Sequence, residues 1–230
     1  MATPVAGELY ESITGQLFEI GRQLRQPSGY PFNPDQLKTA LQDAIEGNFG
    51  GARRQSLLSI ITSTSLGAVA GKPTKKCFAG SYYVYRDGNF DRWLPVDQPQ
   101  ATPCEITTLA SAKDAIFVRW ASTILGISAS TPTKTLGSLL IERGHTMTLV
   151  QVENMVGRTE NGEATGMRTD GYANFFFVET SNEDDPVSVA DVLRDGSRWG
   201  ANVDRLGRGG RWRVGFRLLV RNLDASRLGL

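Results

Sequence analysis

The chain has 230 residues, 40% of them hydrophobic, which is enough to bury one sizeable core and is typical of a globular protein. Its formal net charge of +1, with 21% charged residues, gives the protein no bulk attraction to nucleic acid or to an anionic membrane. It has one histidine, which excludes zinc or iron sites built from several histidines, and its two cysteines argue against a disulfide framework.

The first residues contain acidic side chains early and no basic leader followed by an apolar stretch, so we expect no secretory signal. No run of the sequence approaches the roughly 18 apolar residues of a membrane-spanning helix. We therefore expect a protein that is cytoplasmic as synthesised and has no membrane span. Surface display by another route stays open.

Apolar residues recur at helical spacing within residues 1–50 and predict a helical hairpin there. The first helix is expected from about 7 to 25. The second is expected to begin at Asn33 and Pro34, a residue pair typical of a helix start, and to present Leu37, Leu41 and Ile45 on one face. The hairpin is interpreted as a stabilising appendage or as an assembly or docking module through which the protein could form an oligomer.

The segment GNFGGARR, which begins at Gly47, has the composition of a linker, so we place the domain boundary near residue 50 and a second domain over residues 51–230. Beyond the boundary, β-branched residues from Leu57 onward predict a pair of strands, and SYYVY from Ser81 predicts another strand. Aromatic residues of this region are expected to fill the core, with a stacking platform as the alternative: Tyr82, Tyr83, Tyr85, Phe90 and Trp93.

Three helices are predicted in the middle of the chain, over residues 112–125, over residues 135–143 and from Thr148 onward. A glycine-rich loop then leads into the apolar run Phe175 to Val178, which is too short for a helix and predicts a buried strand. The acidic cluster from Glu183 to Asp185 follows. It is interpreted as a solvated loop, with a calcium site as the alternative, because hard cations are bound by several oxygen ligands.

The clearest pattern lies in the stretch from Ser197 to Leu223. Apolar and polar residues alternate from Arg211 to Arg221 and predict a strand with one buried face, formed by Trp212, Val214, Phe216, Leu218 and Val220. Before this strand, closely spaced glycines permit a reversal of the chain. We therefore expect a loop that presents four polar residues to solvent, namely Asn202, Asp204, Arg205 and Arg208.

Three segments resemble the C-type-lectin-like fold of formylglycine-generating enzymes and of the variable proteins of diversity-generating retroelements. The segment RGHTMTLVQVENMVGRTENGE is similar to the helix-opening segment of that family, DGYANFFFVE to the strand that follows, and GGRWRVGFRLLVRN to its closing element. Together they cover about residues 135 to 223. The resemblance implies an α+β fold, a C-type-lectin-like domain with mixed antiparallel strands and flanking helices, preceded here by the N-terminal helical hairpin.

The catalytic branch of this family uses paired cysteines near the C-terminal end, whereas this chain has none after Cys104, and the related iron enzymes need several histidines where it has only His145. The resemblance therefore implies the non-catalytic branch, a scaffold without catalytic residues, metal or cofactor that displays a surface, in some members diversified, to an unidentified protein or other macromolecule. The matching segment supplies the candidate ligand-binding residues Ser197, Asn202, Asp204, Arg205, Arg208, Arg213 and Phe216.

Two other functions stay open. The first is an enzyme with a carboxylate site that draws on Asp170, Glu179 or the Glu183–Asp185 cluster. The second is a nucleic-acid binder, although the small net charge argues against a nucleic acid as the partner. Its contacts would come from five arginines of the C-terminal part, namely Arg194, Arg205, Arg208, Arg213 and Arg217.

Overall fold

The structure is a computed structural model that describes residues 7–25, 37–38, 41, 58–111, 114–128, 130–208 and 215–223. The chain divides into two compact units, Met1–Ala52 and Arg53–Leu230. Within the described ranges, no helix combines the length and the apolar composition that are needed to cross a bilayer.

The first unit contains helix α1, Glu8–Leu24, which confirms the helix predicted over residues 7–25. Its apolar periodicity puts large side chains on the surface, since Leu17 is 52% and Phe18 75% exposed. Residues 37, 38 and 41 are also helical. The rest of the predicted second helix, Asn33, Pro34 and Ile45 included, lies outside the described residues.

The second unit has an α+β architecture in which helices lie on both faces of a mixed sheet. Its strands are β1 Leu58–Leu66, β2 Lys72–Pro73, β3 Tyr83–Arg86, β4 Asp97–Gln98, β5 Cys104–Ser111, β6 Asn174–Glu179, β7 Val187–Asp195, β8 Arg198–Arg205 and β9 Arg217–Arg221. Its helices are α2 Asn89–Trp93, α3 Phe117–Leu125, α4 Thr133–Glu142 and α5 Leu149–Glu160, with a 3₁₀ turn at Thr74–Lys76.

The described strands form one seven-stranded sheet in the order β1-β5-β9-β6-β7-β8-β3 and a small ribbon of β2 and β4. Strand β9 runs parallel to β6, and β3 runs parallel to β8, while the remaining neighbours in the large sheet are antiparallel. The mixed sheet with flanking helices agrees with the predicted α+β class. Strand β9 therefore lies near the middle of the sheet although it is the last strand in the described sequence.

Strand β6 is buried on both faces, as its unbroken apolar run predicts. Phe175 and Phe177 belong to the core that lies between the sheet and helices α3 and α4, which we call the α3/α4 face. Phe176 and Val178 belong to the opposite core, which packs against helix α5 and which we call the α5 face.

The alternation predicted for the last strand is only partly correct. Leu218 and Val220 are buried in the α3/α4 face as expected, but Leu219, which was expected among the polar residues, is also fully buried, in the α5 face. The reason is that β9 lies between β5 and β6, where both faces of the sheet are covered. The predicted positions Trp212 and Val214 lie outside the described residues.

Four strands of the large sheet depart from the sequence-based expectation. The β-branched stretch after Leu57 is the single strand β1 rather than a pair, because it pairs with β5 of residues 104–111, a strand that was not predicted. Strands β7 and β8 were not predicted either. Consequently Asn202, Asp204 and Arg205 lie on β8 and not on a loop.

The predicted helices of the middle region are present, at 117–125, 133–142 and 149–160. The last begins with a capping box, in which the Thr148 hydroxyl accepts from the Gln151 backbone and the Gln151 side chain accepts from the Thr148 backbone. The aromatic prediction is wrong for Tyr82 and Tyr85, which are exposed because β3 forms an edge of the described sheet. Phe90 is buried as expected.

Candidate functional site

Strand β8 has one buried and one polar face. Trp199, Ala201 and Val203 enter the core on the α5 face. Residues 200, 202 and 204 point to the opposite side, where a side-chain atom added at Gly200 would meet only the Cβ of Tyr85, at 4.0 Å. On this side Gly200 is buried, whereas Asn202 and Asp204 are only partly buried. The α3/α4 face is therefore open to a ligand toward the C-terminal end of β8, and helices cover it further along the sheet.

Four of the predicted site residues lie together at the C-terminal end of this strand. Asn202 and Asp204 lie on its open face, Arg205 is its last residue, and Arg208 follows in a turn closed by a backbone hydrogen bond of 3.0 Å from Arg208 N–H to Arg205 C=O. The Arg208 guanidinium forms an ion pair with the Asp204 carboxylate. We call this group the β8 surface: Asn202, Asp204, Arg205 and Arg208.

A buried carboxylate lies beneath the β8 surface. Asp191 on β7 pairs with Asn202 across the sheet, and the Asn202 Nδ2 donates a 3.1 Å hydrogen bond to Asp191 Oδ1. Burial raises the pKa of Asp191 to about 6, and the nearby Asp204 carboxylate adds to the increase, while the bond from Asn202 opposes it. Asn202 therefore serves the packing of the sheet as well as the surface.

Arg205 leaves the end of β8 toward the aromatic ring of Trp93, the last residue of α2. The guanidinium carbon lies 5.2 Å from the centroid of that ring, within the range of a cation–π contact. Its Nη1 atom lies 3.5 Å from Asp185 Oδ2, in the loop of residues 180–186 between β6 and β7. The side chain is 57% exposed, so this ion pair is a weak surface contact.

These residues border an open cleft with a volume of about 580 Å³. Its walls are the end of β8, the 180–186 loop, Trp93 and the beginning of α4, and its lining residues are Trp93, Thr133, Asp184, Asp185, Asp204, Arg205, Gly207 and Arg208. Three of the four members of the β8 surface therefore line a single concave site. A cleft with an aromatic wall and several charged groups is a common form of a binding site.

The loop wall of the cleft is fixed by its own hydrogen bonds. Asn182 accepts from the backbone of Asp184 at 3.0 Å, and the Ser181 N–H donates to the Trp93 carbonyl at 2.8 Å. Helix α4 lies close above the loop, because an added Cβ at Gly137 would come within 2.9 Å of the Pro186 ring. The cleft is thus held by packed elements rather than by one side chain.

The other predicted site residues lie elsewhere or outside the described residues. Ser197 is in the turn between β7 and β8, at the opposite end of β8 from Arg205, and a strand of this length spans roughly 25 Å at about 3.3 Å per residue. Phe216 precedes β9 and is half-buried, with its ring centroid 5.9 Å from Tyr172 and 5.4 Å from Phe175. Arg213 lies outside the described residues.

The carboxylates considered for an enzyme do not converge. Asp170 precedes β6 and forms an ion pair with Arg168, whereas Glu179 ends β6 and accepts a 2.7 Å hydrogen bond from the Thr146 hydroxyl. In the acidic loop, Asp184 forms an ion pair of 2.8 Å with Lys134. Across the described ranges, no three or more His, Cys, Asp or Glu side chains are grouped so that they could hold a metal ion.

The arginines considered for nucleic-acid binding are also dispersed. Arg194 lies beside the β7–β8 turn and forms an ion pair of 3.3 Å with Glu160, far along the strands from Arg205 and Arg208. Arg217 is half-buried, and burial lowers its pKa. These side chains do not form one basic stripe in the described structure, and Arg213 is not described.

His145 follows the C-terminal end of α4. It is buried, and its Nδ1 atom lies 3.0 Å from the Arg221 carbonyl oxygen of β9. Both cysteines are free thiols, and burial raises the pKa of Cys77 to about 12.

Sequence reasoning missed or misjudged three residues of the site. Asp191 was not considered, although a single carboxylate within the apolar run VSVADVL is unusual for a buried strand and could have signalled it. Trp93 was considered only as part of a core or stacking platform. Asp185 was considered as a solvated acid, as a calcium ligand or as part of a carboxylate site of an enzyme, but not as a neighbour of Arg205, since nothing in the sequence brings the 180–186 loop next to that residue.

Comparison of the chain with protein-family models, with curated proteins and with solved structures gave no match. The C-type-lectin-like assignment therefore stays a prediction, based on the three segments that carry the resemblance. What the chain does has to be argued from the geometry of the β8 surface and the cleft beside it.

Proposed function

We propose that this protein is a non-enzymatic binding protein that recognises a macromolecular ligand, in the first place a protein, through the β8 surface and the adjoining cleft. In this proposal residues 51–230 form a C-type-lectin-like ligand-display domain. The N-terminal helices, with the exposed apolar residues of α1, serve assembly or docking.

The observation that carries the proposal is that the two sides of β8 have different surroundings. Trp199, Ala201 and Val203 enter the core, while on the other side of the strand Gly200 is buried and the polar residues Asn202 and Asp204 are only partly buried. Substitutions on the open side can change what is bound without emptying the core. Binding residues placed on a rigid strand and a well-fixed turn are held more precisely than residues on a long loop.

The three segments that carry the family resemblance contact one another, which supports a common scaffold. The first segment meets the second, because the Met147 N–H donates a 2.7 Å hydrogen bond to the Phe177 carbonyl. The second meets the third, because β6 pairs with β9. The third returns to the first through the contact of the Arg221 carbonyl with His145. The β8 surface is attached to this scaffold through β7.

Capture from a native lysate of the source cells tests the proposal. The double variant Asp204→Ala/Arg208→Ala removes both members of a surface ion pair and should abolish enrichment of the partner, identified by quantitative mass spectrometry. The matched control is Arg158→Ala/Glu163→Ala, which removes a partly exposed ion pair at the C-terminal end of α5, outside the β8 surface and the cleft. Equal enrichment by the wild type and both variants would refute recognition through the β8 surface.

The gene neighbourhood tests the family proposal separately. A variable protein of a diversity-generating retroelement is expected beside a reverse-transcriptase gene, with a near-repeat of its 3′ coding end that differs at adenines. Differences that fall on the codons of Asn202, Asp204, Arg205 and Arg208 would support diversification of the β8 surface. A neighbourhood without either feature would contradict the retroelement assignment while leaving ligand recognition to the capture experiment.

A further inference from the structure

A second, smaller cavity lies beside the cleft at β8. That cavity has a volume of about 180 Å³ and is lined by Arg92, Trp93, Thr180, Ser181, Asn182, Asp185, Ser188 and Arg205. Trp93, Asp185 and Arg205 line both spaces. The side chain of Arg205, with the ring and the carboxylate that it contacts, therefore separates the two.

Arg205 is loosely held in this position. Its Nη1 atom lies 3.5 Å from Asp185 Oδ2, a longer separation than the 3.3 Å of the Arg194–Glu160 ion pair. Because the side chain is also more than half exposed, side-chain entropy and solvent screening leave little net stabilisation in the contact. Another cationic group could therefore displace the Arg205 side chain from Asp185 at little cost in stability.

The carboxylate of Asp185 is incompletely satisfied. Its Oδ1 atom is buried and has no hydrogen-bond donor in the described structure. Burial raises the pKa of Asp185, against the opposing effect of Arg205, which is consistent with a carboxylate whose charge is only partly compensated. A buried acceptor without a donor costs free energy, so a group that donates to both oxygens would bind favourably here.

We infer that Trp93 and Asp185 form a receptor for an arginine side chain of the protein partner, and that Arg205 occupies this receptor until the partner displaces it. The inference rests on the proposed function and specifies the chemistry of its ligand. A guanidinium can lie against an indole ring and donate two parallel hydrogen bonds to one carboxylate, which an ammonium group cannot do. The carboxylates of Asp184 and Asp204 also line the cleft, where they are paired with Lys134 and Arg208.

Displacement of Arg205 would also join the two cavities, because its side chain is part of the wall between them. The partner's arginine would then gain access to the Asp185 oxygen that has no donor. This makes the wild-type site weak for a single free arginine, because the tethered Arg205 competes at a high local concentration. Removal of that competitor should expose the receptor.

The test uses the full-length chain and Nα-acetyl-arginine N-methylamide as the probe, with binding followed by NMR of the ¹⁵N-labelled indole groups and Trp93→Phe used to assign the Trp93 signal. Arg205→Ala should bind the probe about tenfold more tightly than the wild type, because the tethered competitor is gone. Arg198→Ala, which removes an exposed arginine at the other end of β8, is the matched control and should bind like the wild type.

Two further measurements establish the chemistry. In the Arg205→Ala background, the isosteric change Asp185→Asn should remove binding, and the neutral citrulline analogue of the probe should not shift the Trp93 signal. Absence of arginine binding to Arg205→Ala, equal binding of citrulline, or unchanged affinity after Asp185→Asn would each overturn the inference.

The outcomes separate this inference from the proposed function. If the probe does not bind but capture of the partner still requires Asp204 and Arg208, recognition through the β8 surface holds and the arginine receptor does not. If the probe binds as expected and capture is insensitive to Asp204 and Arg208, the arginine receptor holds and recognition through the β8 surface does not.

Discussion

Strands β6 and β8 belong to one sheet, separated only by β7, yet they use their residues in opposite ways. In β6 five consecutive residues from Asn174 are buried, divided between the cores on the two sides of the sheet. In β8 only one side enters a core, and the other side carries Asn202 and Asp204 toward the open α3/α4 face. Position in the sheet decides which strand can be substituted freely.

The contrast indicates where this fold can acquire a new binding specificity. A side chain of β6 contacts packed neighbours whichever way it points, so a change there alters the stability of the core. The side chains of Asn202 and Asp204 on β8 are only partly buried, and their protein neighbours are polar side chains rather than a packed core. Asp191 is an exception. It is a polar group that contacts Asn202 of the β8 surface, but its side chain is buried.

The largest effect is expected at the centre of the sheet. Phe176→Ala removes a fully buried ring from the α5 face of β6 and should lower the free energy of unfolding by about 3–5 kcal/mol, the usual range for emptying a buried aromatic position. Equilibrium denaturation with urea measures it. A loss under about 1 kcal/mol would mean that β6 is not the central, doubly covered strand.

Leu219→Ala tests whether β9 shares this double burial. Both Leu219 and Leu218 are buried on opposite faces of the strand, so each alanine variant should lose about 2–5 kcal/mol of unfolding free energy. Simple alternation, as expected from the sequence, would make only the Leu218 change costly. If Leu219→Ala hardly changes the free energy of unfolding in the same denaturation experiment, only one face of β9 is buried, as simple alternation predicts.

A smaller effect, and one that depends on pH, is expected at Asp191. Its pKa in the folded protein, about 6, lies above its ordinary value of 3.8, so the folded state holds the proton more tightly than the unfolded chain. The stability contributed by this group is therefore full below about pH 4 and is lost as the pH rises to about 6. Asp191→Asn should remove this loss.

The variant should consequently gain stability relative to the wild type across that window, by on the order of 2–3 kcal/mol at pH 7. Asparagine retains a carbonyl oxygen that can accept from Asn202. Denaturation curves of both proteins at pH 4, 5, 6 and 7 give the difference directly, and background titrations common to both cancel. Parallel pH profiles would show that Asp191 is not the titrating group.

The smallest effect on stability is expected at the β8 surface itself. Asp204→Ala/Arg208→Ala removes a partly exposed ion pair and should change the free energy of unfolding by no more than about 1 kcal/mol. Thermal unfolding followed by circular dichroism is sufficient to measure it. A change of several kcal/mol would mean that this ion pair stabilises the fold, as the buried residues of β6 do.

The fold could be predicted from sequence wherever one physical signal dominated. The amphipathic periodicity of α1, the threonine cap before α5 and the apolar run of β6 each indicated the correct element. Strand β5 was missed because its neighbours β1 and β9 come from distant sequence. Strands β7 and β8 pair with each other across a short turn and were missed because no clear sequence pattern was read in them. In β7, for example, VSVADVL packs on both faces, and neither alternation nor a long apolar run marks it as a strand.

The candidate site could be predicted only in its local part. Asn202, Asp204, Arg205 and Arg208 lie within seven residues of one another, so their proximity follows from sequence whatever the local structure is. Trp93 and Asp185 come from two other segments, and only the pairing of β8 with β7 and β3 brings those segments to Arg205. Ser197 was wrongly grouped with them because a strand, not a loop, separates it from Arg205.

The central position of β9 also constrains how the sheet can assemble. The strands on one side of β9, β1 and β5, pair with each other, and those on the other side, β6, β7, β8 and β3, form a second group; in the described sheet the two groups are joined through β9. During synthesis both groups emerge from the ribosome before the strand that joins them, each with an unpaired edge exposed. Completion of the sheet must then wait for residues 217–221 and for contacts that are distant in sequence, so slow refolding and a need for protection of the nascent chain are expected.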